Sequence, residues 1–403
     1  MLYFEQMKRP RPSHALQFIL LMGLVSLLSD MTHEGARSLV GPFLSMTGAS
    51  AANIGFVLGL GELLGTSLIL LTAYIADQTK QYWLMTFMGY AINLIVIPSL
   101  ALVPENGWIF ACGLLLIERI GRAIRKPSKS TLVSFASKEM GEGKSFAILE
   151  FVDQIGAFLG PVLLFVVLWF KGEGTHLEAY HLAFFILGIP ALLTLLVLWV
   201  AFKNFPHPEQ FEKEEVTQDH LLLKKDFTFY LIAVALFAFG FIDFPIISMH
   251  FLKLNLIPFS WIPLLYACAM LVDAFAALIF GVGFDRFGLR ILIVSTFISM
   301  PFAFFAFGFN SIYALILGVI LWGIGMGAQE SILKAAVAKL MPKAHRSMGF
   351  GLFELVFGVA WFMGSWFLGY LYDTQIEWMI AVSVGAQLLA LPFFYFAYQK
   401  TIK

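Results

Sequence analysis

The chain has 403 residues, of which 60% are hydrophobic and 13% are charged, and its formal net charge is zero. A typical soluble domain carries about 25% charged residues. This composition therefore excludes a typical soluble domain and indicates a membrane protein. The basic residues are dispersed among loops, which gives no indication of a nucleic-acid partner. Cys112 and Cys268 fall within apolar segments without metal or redox spacing, so the sequence predicts neither a metal nor a cofactor.

Apolar runs of about 20 residues recur along the chain, and each is long enough to cross the hydrocarbon core of a bilayer as a helix. The runs are continuous rather than alternating, which excludes a transmembrane β-barrel. The sequence therefore predicts an all-α membrane protein with twelve transmembrane helices, at 15–40, 53–76, 83–104, 108–136, 146–170, 179–202, 227–250, 260–284, 290–309, 311–338, 347–372 and 377–398.

One connection is longer and more charged than the rest, and it divides six helices from six. It predicts an N-terminal six-helix bundle at 1–202, a linker at 203–226 and a C-terminal six-helix bundle at 227–403. Lys and Arg are enriched in cytoplasmic loops. With the N-terminus inside, only Arg37, Lys171 and Lys253 lie towards the outer side, which predicts two cytoplasmic termini in a multi-pass protein of the cytoplasmic (inner) membrane.

Similar residues recur at similar positions of the two halves, as expected for a chain built from two related bundles. Asp77 follows the second helix and Asp285 follows the eighth. The separation of Glu150 from Glu354 equals that of Gly160 from Gly364. One half therefore resembles a diverged copy of the other.

The turn after the eighth helix carries the most specific motif of the chain. Its residues match the loop motif G-x-x-x-D-R-x-G-x-R of the major facilitator superfamily, which the chain resembles over nearly its whole length. The matching residues are Gly281, Asp285, Arg286, Gly288 and Arg290. In the first half Asp77 survives, while Ala73 and Gln78 replace the glycine and the arginine.

Two further segments resemble the same superfamily. Arg119 lies in an R-x-x-x-G context of the fourth helix, with Ala123 in place of the glycine. Gly156, Gly160 and Pro161 in the fifth helix are similar to an antiporter motif, here interpreted as a hinge or packing element. The resemblance implies two six-helix bundles that rock about a central cavity lined by helices one, four, seven and ten. The chain resembles a bacterial branch of this superfamily without an assigned substrate.

The first helix carries a polar stripe. Asp30, His33, Glu34 and Arg37 recur at i, i+3, i+4 and i+7, which places them on one helix face. A helical rise of about 1.5 Å per residue puts Asp30 and Arg119 at a similar depth, roughly 15 Å below the outer surface. Charged residues inside spans usually mark transport pathways. The other candidates for the cavity and for proton coupling are Glu62, Glu118, Asp153, Asp243 and Asp273.

These residues allow two interpretations. In one, Asp30 or Glu34 exchanges protons and Arg119 senses the result, because opening the cavity changes solvation and neighbouring charge. In the other, Arg119 only neutralises Asp30 or Glu118 and holds two helices together. Glu118 precedes Arg119 directly and points about 100° away, so the two are expected to serve different faces.

A second group of charges lies near the inner loops and is expected to close a cytoplasmic gate. Glu150 and Glu354 are its acidic members, with Arg122, Arg125, Lys126 or Arg346 as their partners. Asp77 and the loop-motif residues after the eighth helix belong to the same gate.

The function predicted from these features is proton-coupled export of a small organic molecule by an antiporter. A symporter that imports a metabolite or a metal chelate such as a siderophore is the alternative, since a midplane arginine would serve either. A sensor or scaffold is less favoured because no added soluble domain is present. An enzyme is not expected, since no nucleophile lies beside a base and no nucleotide-binding loop is found outside the membrane. The expected partners are a small-molecule substrate, protons and the lipid bilayer, and the expected state is a monomer.

Overall fold

The computed structural model describes residues 14–140, 142–171, 176–207, 225–341 and 346–402, and these residues form helices joined by short turns. Both ends of this region lie on one side, here named the terminal face, because the number of spans is even. The other side is named the opposite face. In chain order the spans are His14–Met46, Ala51–Thr79, Tyr82–Ser99, Trp108–Met140, Glu142–Lys171, His176–Ile186 with Gly188–Asn204, Lys225–Gly240 with Phe244–Leu254, Ile262–Phe287, Arg290–Ser299 with Phe302–Phe307, Ile312–Leu340, Arg346–Thr374 and Ile376–Ile402.

Among the described residues, eleven helical segments are long and apolar enough to cross a membrane. The fourth span, Trp108–Met140, is long enough but carries many charged side chains, and it lies against the second and third spans. The all-α fold with twelve helices in two bundles is therefore confirmed. The sixth span ends at Asn204 and the seventh begins at Lys225, while linker residues 208–224 lie outside the described region.

Several spans are interrupted where the sequence predicts continuous helices. The ninth breaks at Pro301, which lacks an N–H for the helical ladder. The tenth contains a π-helical turn at Gln329–Leu333. The seventh is broken between Gly240 and Phe244, and Pro245 lies in the first turn of the helix that follows the break.

Glycines set the packing between the first and fifth spans. A Cβ on Gly156 would overlap the carbonyl oxygen of Leu27, and one on Gly160 would overlap that of Met31. The second half repeats this contact, because a Cβ on Gly364 would overlap the carbonyl oxygen of Phe239. These glycines let helix backbones touch directly.

Gly160→Ala is expected to destabilise the protein by about 1–3 kcal/mol, because the added methyl group must separate two packed backbones. The measurement is the midpoint temperature of the detergent-purified protein. Gly385→Ala is the matched control, since an added Cβ there has no atom within 4 Å. Equal midpoints for the two variants would contradict this packing role.

The two halves meet near the opposite face. There the first span approaches the seventh so closely that a Cβ on Gly41 would overlap the carbonyl oxygen of Pro245. The second span approaches the eleventh in the same way, at Gly55 and Ser365. Asp373 accepts hydrogen bonds from the N–H groups of Ala51 and Ala52, at 3.1 and 2.8 Å. This group of interactions is named the opposite-face contact.

Candidate functional site

A charged cluster joins the halves at the break in the seventh span. Asp243 caps the helix that starts at Phe244 and accepts its N–H at 2.8 Å. The same carboxylate oxygen lies 2.7 Å from Nη2 of Arg37 on the first span. Arg37 also lies 3.7 Å from Glu34, and Glu34 accepts a hydrogen bond from the Tyr266 hydroxyl of the eighth span. Arg37 and Glu34 are thus each bound to a residue of the other half.

Other spans satisfy the backbone carbonyls that this break leaves without helical partners. Ser383 and Gln387 of the twelfth span donate to the carbonyl of Gly240, at 2.6 and 3.2 Å. The indole of Trp322 on the tenth span donates to the carbonyl of Ile242 at 2.9 Å. Irregular backbone at membrane depth is stable only where other parts of the protein supply its hydrogen bonds. The break is therefore stabilised by the packing of neighbouring spans.

His33 lies between a carboxylate and a guanidinium. Its Nδ1 is 3.1 Å from Oε1 of Glu118, and its Nε2 is 2.9 Å from Nη1 of Arg122. A guanidinium only donates hydrogen bonds, so Nε2 must accept and the ring proton belongs on Nδ1. The geometry therefore assigns a neutral His33 in this conformation. A second proton can bind at Nε2 only after Arg122 has moved away.

Of the two partners that the sequence suggests for Arg119, Glu118 pairs with it and Asp30 does not, and Glu62 is a further partner. Its Nη1 lies 3.3 Å from Glu62 and its Nε lies 3.6 Å from Glu118. Gly61 makes room for this side chain, because a Cβ there would lie 2.9 Å from Cγ of Arg119. The expected separation of Glu118 from Arg119 is therefore wrong. A long arginine side chain bends back along its helix and spans the 100° offset.

Asp30 belongs to a second cluster, which lies between the first, fourth and fifth spans. Asp153 and Lys129 are its strongest charged neighbours, and Lys129 donates a hydrogen bond to Ser26. Arg125 is packed over the ring of Tyr90, with its guanidinium carbon 4.4 Å from the ring centroid. Asp30 thus lies near both Asp153 and Lys129, while Arg119 is held by Glu62 and Glu118.

A cavity of about 150 Å³ lies on the terminal side of the charged cluster. Arg37, Glu62 and Arg119 line its deep end. A smaller void of about 20 Å³ lies towards the opposite face, where the halves are in contact. The described residues that line the wider part include Arg122, Lys126, Met326, Gln329, Lys334, Phe353, Glu354, Phe357 and Trp361.

The predicted gate residues are spread over two regions. Arg122 binds His33 within the charged cluster and lies away from the inner loops, because it is one turn from Glu118 on a helix that runs through the cluster. Glu150 is exposed and Glu354 lines the cavity. Helix Arg346–Thr374 begins at Arg346, whose side chain lies outside the described region.

The loop-motif residues lie at the terminal face. Asp285 and Arg286 are exposed, and Gly288 ends the eighth span with a left-handed φ of 63°. A φ of this sign favours glycine, which explains the residue type. Arg290 stacks on Tyr398, with its guanidinium carbon 4.6 Å from the ring centroid. Asp77, at the corresponding place in the first half, is exposed and accepts a hydrogen bond from Tyr82 at 3.1 Å.

One predicted residue lies outside the two charged clusters, and two residues that take part in them were not predicted. Asp273 is 1% exposed and is buried where the eighth span meets Gly327 of the tenth. Tyr266 and Lys129 were not anticipated. A stripe on the fourth span would have indicated Lys129, because Glu118, Arg122, Arg125 and Lys129 recur at helical spacing. No spacing rule indicates Tyr266. Within the described part of the chain, no group of three His, Cys, Asp or Glu side chains is arranged to hold a metal.

Two six-helix bundles around a central cavity, with a broken span and buried charges at their junction, define the class of secondary transporters. The sequence profile described as Major Facilitator Superfamily matches residues 20–259 and 244–402, and the chain belongs to that family. It is 34% identical over 384 residues to an uncharacterised protein of Mycobacterium tuberculosis, covering 94% of this chain and 92% of that protein.

A more distant relative and a solved structure agree with this assignment. An uncharacterised MFS-type transporter of Methanocaldococcus jannaschii is 26% identical over 374 residues, covering 89% of each chain. The crystal structure of a bacterial homologue of the human lysosomal transporter Spinster, inward-facing and unoccupied, superposes with a TM-score of 0.74. Its sequence identity is 14% and it covers 97% of this chain and 98% of that chain, so the likeness concerns the fold.

Proposed function

We propose that this family member is a proton-coupled antiporter that exports a small organic molecule by alternating access. The main support is the cluster formed by Glu34, Arg37, Asp243 and Tyr266, whose bonds join the two halves directly beside the cavity. Rocking of the halves that opens the opposite face must break these bonds. The binding cavity and the candidate proton carrier would then change environment in the same motion.

Glu34 is the proposed proton carrier. In this conformation Arg37 and Tyr266 stabilise its ionised form. When the halves separate at the opposite face, Tyr266 leaves with the other half, so Glu34 loses the hydrogen bond that Tyr266 donates. A carboxylate that loses its hydrogen-bond donor favours protonation. Protons would therefore be taken up from the outside and released after the opposite-face contact re-forms.

The proposed direction is supported by the orientation that the basic residues predict. The excess of Lys and Arg near the termini supports a cytoplasmic terminal face in the inner membrane. The described cavity would then be loaded from the cytoplasm, which is the loading side of an exporter. Import by a proton symporter is the second candidate, and the basic side chains of the cavity favour it. Such side chains suit an anionic solute, and a proton that crosses with an anion reduces the net charge transferred across the membrane.

The test measures the internal pH of proteoliposomes that contain the pure protein. Cationic, neutral and anionic solutes are added outside in turn. For the antiporter we expect protons to move opposite to at least one solute. Protons that move with the solute would identify the symporter. Solute flux without any proton movement would contradict the proposed coupling.

The terminal-face gate is proposed to include Asp285, which is exposed while the cavity lies on this side. Asp285→Asn should remove a charge that ties the halves when this face closes, and so raise the population open to the terminal face. The measurement is thiol labelling of an Ile69→Cys reporter, a position that lines the cavity. Asp226→Asn, at the start of the seventh span, is the control. Unchanged labelling would count against the gate.

A further inference from the structure

Two lysines from different halves of the protein line the cavity. Lys126 comes from the fourth span and Lys334 from the tenth. Both side chains line the same cavity, where the positive charge of Lys334 repels that of Lys126. Among the ion pairs formed by described side chains, none involves either lysine. Like charges facing each other across an open cavity are costly unless an anion lies between them.

The other cations of the cavity already have acidic or imidazole partners. Arg37 is bound to Asp243, and Arg119 is paired with Glu62. Arg122 binds His33. The positive charge that remains in the described lining is therefore concentrated at the two lysines, with Glu354 as the acidic residue nearby.

An aromatic row runs beside the lysines along one face of the eleventh span. Phe353, Phe357 and Trp361 follow each other at i, i+4 and i+8 and all line the cavity. Their neighbouring ring centroids are 5.9 and 5.4 Å apart, with interplanar angles of 32° and 28°. The three side chains are 2–5% exposed, so the row forms an apolar wall of the cavity against which a flat ligand can pack.

We infer that this cavity binds an organic anion, with its carboxylate or phosphate between Lys126 and Lys334 and a flat apolar body along the aromatic row. This inference names the substrate class of the proposed transporter. Binding of the anion is argued from the cavity itself, and only its transport rests on the proposed function. The two lysines belong to different halves, so an anion between them attracts both and draws the terminal side together. A ligand that interacts differently with the two conformations is what a change of state requires.

The first test is calorimetric binding to the purified protein with ligands of one shape and different charge. The probes are naphthalene-2-carboxylate, 2-naphthyl phosphate, naphthalene-2-carboxamide and 2-naphthylmethylamine, with acetate as a probe that lacks the flat body. We expect one or both naphthyl anions to bind, and the amide, the amine and acetate to bind at least about tenfold more weakly. Loss of a hydrogen bond to a charged group is expected to weaken binding by this factor. The stronger of the two anions identifies the acid group. Binding of the amine as strong as that of the anions would overturn the inference.

The second test uses variants. Lys126→Gln and Lys334→Gln are each expected to weaken anion binding by about 10- to 100-fold. Lys253→Gln is the matched control, because that lysine lies over the Tyr372 ring, outside the cavity lining. Lys126→Glu should bind the amine better than the carboxylate. Unchanged anion binding in both glutamine variants, with the fold intact by circular dichroism, would overturn the site.

Failure of this inference can be told from failure of proton coupling. If the anions bind as expected and move no protons in proteoliposomes, the site stands and the coupling is wrong. If protons move only with cationic solutes, the coupling stands and the anion site is wrong.

Discussion

Glu34→Gln is expected to abolish proton-driven solute movement, reducing it to the level of protein-free liposomes. Glutamine keeps the shape of the side chain, and its amide oxygen can still accept a hydrogen bond from the Tyr266 hydroxyl, so the halves still meet. It cannot take up a proton within the accessible pH range, so the transport cycle loses its proton step. Solute exchange without a pH gradient is expected to persist. The measurement is internal pH together with solute uptake in the same vesicles.

The control is Glu377→Gln, which changes an exposed carboxylate at the start of the twelfth span. Asp30→Asn belongs in the same series, because the sequence predicts either Asp30 or Glu34 as the proton carrier. Full coupling in both amide variants would contradict the assignment of the proton to the first span.

Gly41→Ala is expected to shift the population strongly towards the state open to the opposite face. The added methyl group would overlap the carbonyl oxygen of Pro245, so the present contact between the first and seventh spans must loosen. A population change of about tenfold needs only about 1.4 kcal/mol, and overpacking costs about 1–3 kcal/mol. The measurement is labelling of a Val57→Cys reporter with a membrane-impermeant thiol reagent added on the opposite face.

The reporter residue lines the small void behind the contact and is 7% exposed. Gly113→Ala is the matched control, because an added Cβ at Gly113 has no atom within 4 Å. Equal labelling in the two glycine variants would show that the contact does not control access from this face.

The fold could be read from the sequence because membrane spans leave a local signal. Each apolar run is long and continuous, whereas the break in the seventh span before Phe244 falls within a run predicted as one helix. The fourth span was predicted at 108–136 despite its charges. The π-helical turn at Gln329–Leu333 has no such mark, because it arises from packing between spans.

The site was predictable in its residue types and only partly in its pairings. Helical spacing places His33, Glu34 and Arg37 on one face, and the structure brings all three into ion pairs or hydrogen bonds. Depth alone suggested that Arg119 lies beside Asp30. Depth does not fix rotation, and the fourth span is turned so that Arg119 meets Glu62. Partners on distant spans, such as Tyr266, depend on tertiary packing that a single sequence does not encode locally.

The most direct test of the account is a pair of distances measured by pulsed electron paramagnetic resonance. Spin labels replace Gln78 and Phe287 on the terminal face, or Glu105 and Asn310 on the opposite face, in a Cys112→Ala, Cys268→Ala background. All four positions are exposed. Acidification should neutralise Glu34, which lengthens the opposite-face distance and shortens the terminal-face distance in the wild type, but leaves both unchanged in Glu34→Gln. Distances that change together, or the same response in the variant, would contradict proton-coupled alternating access.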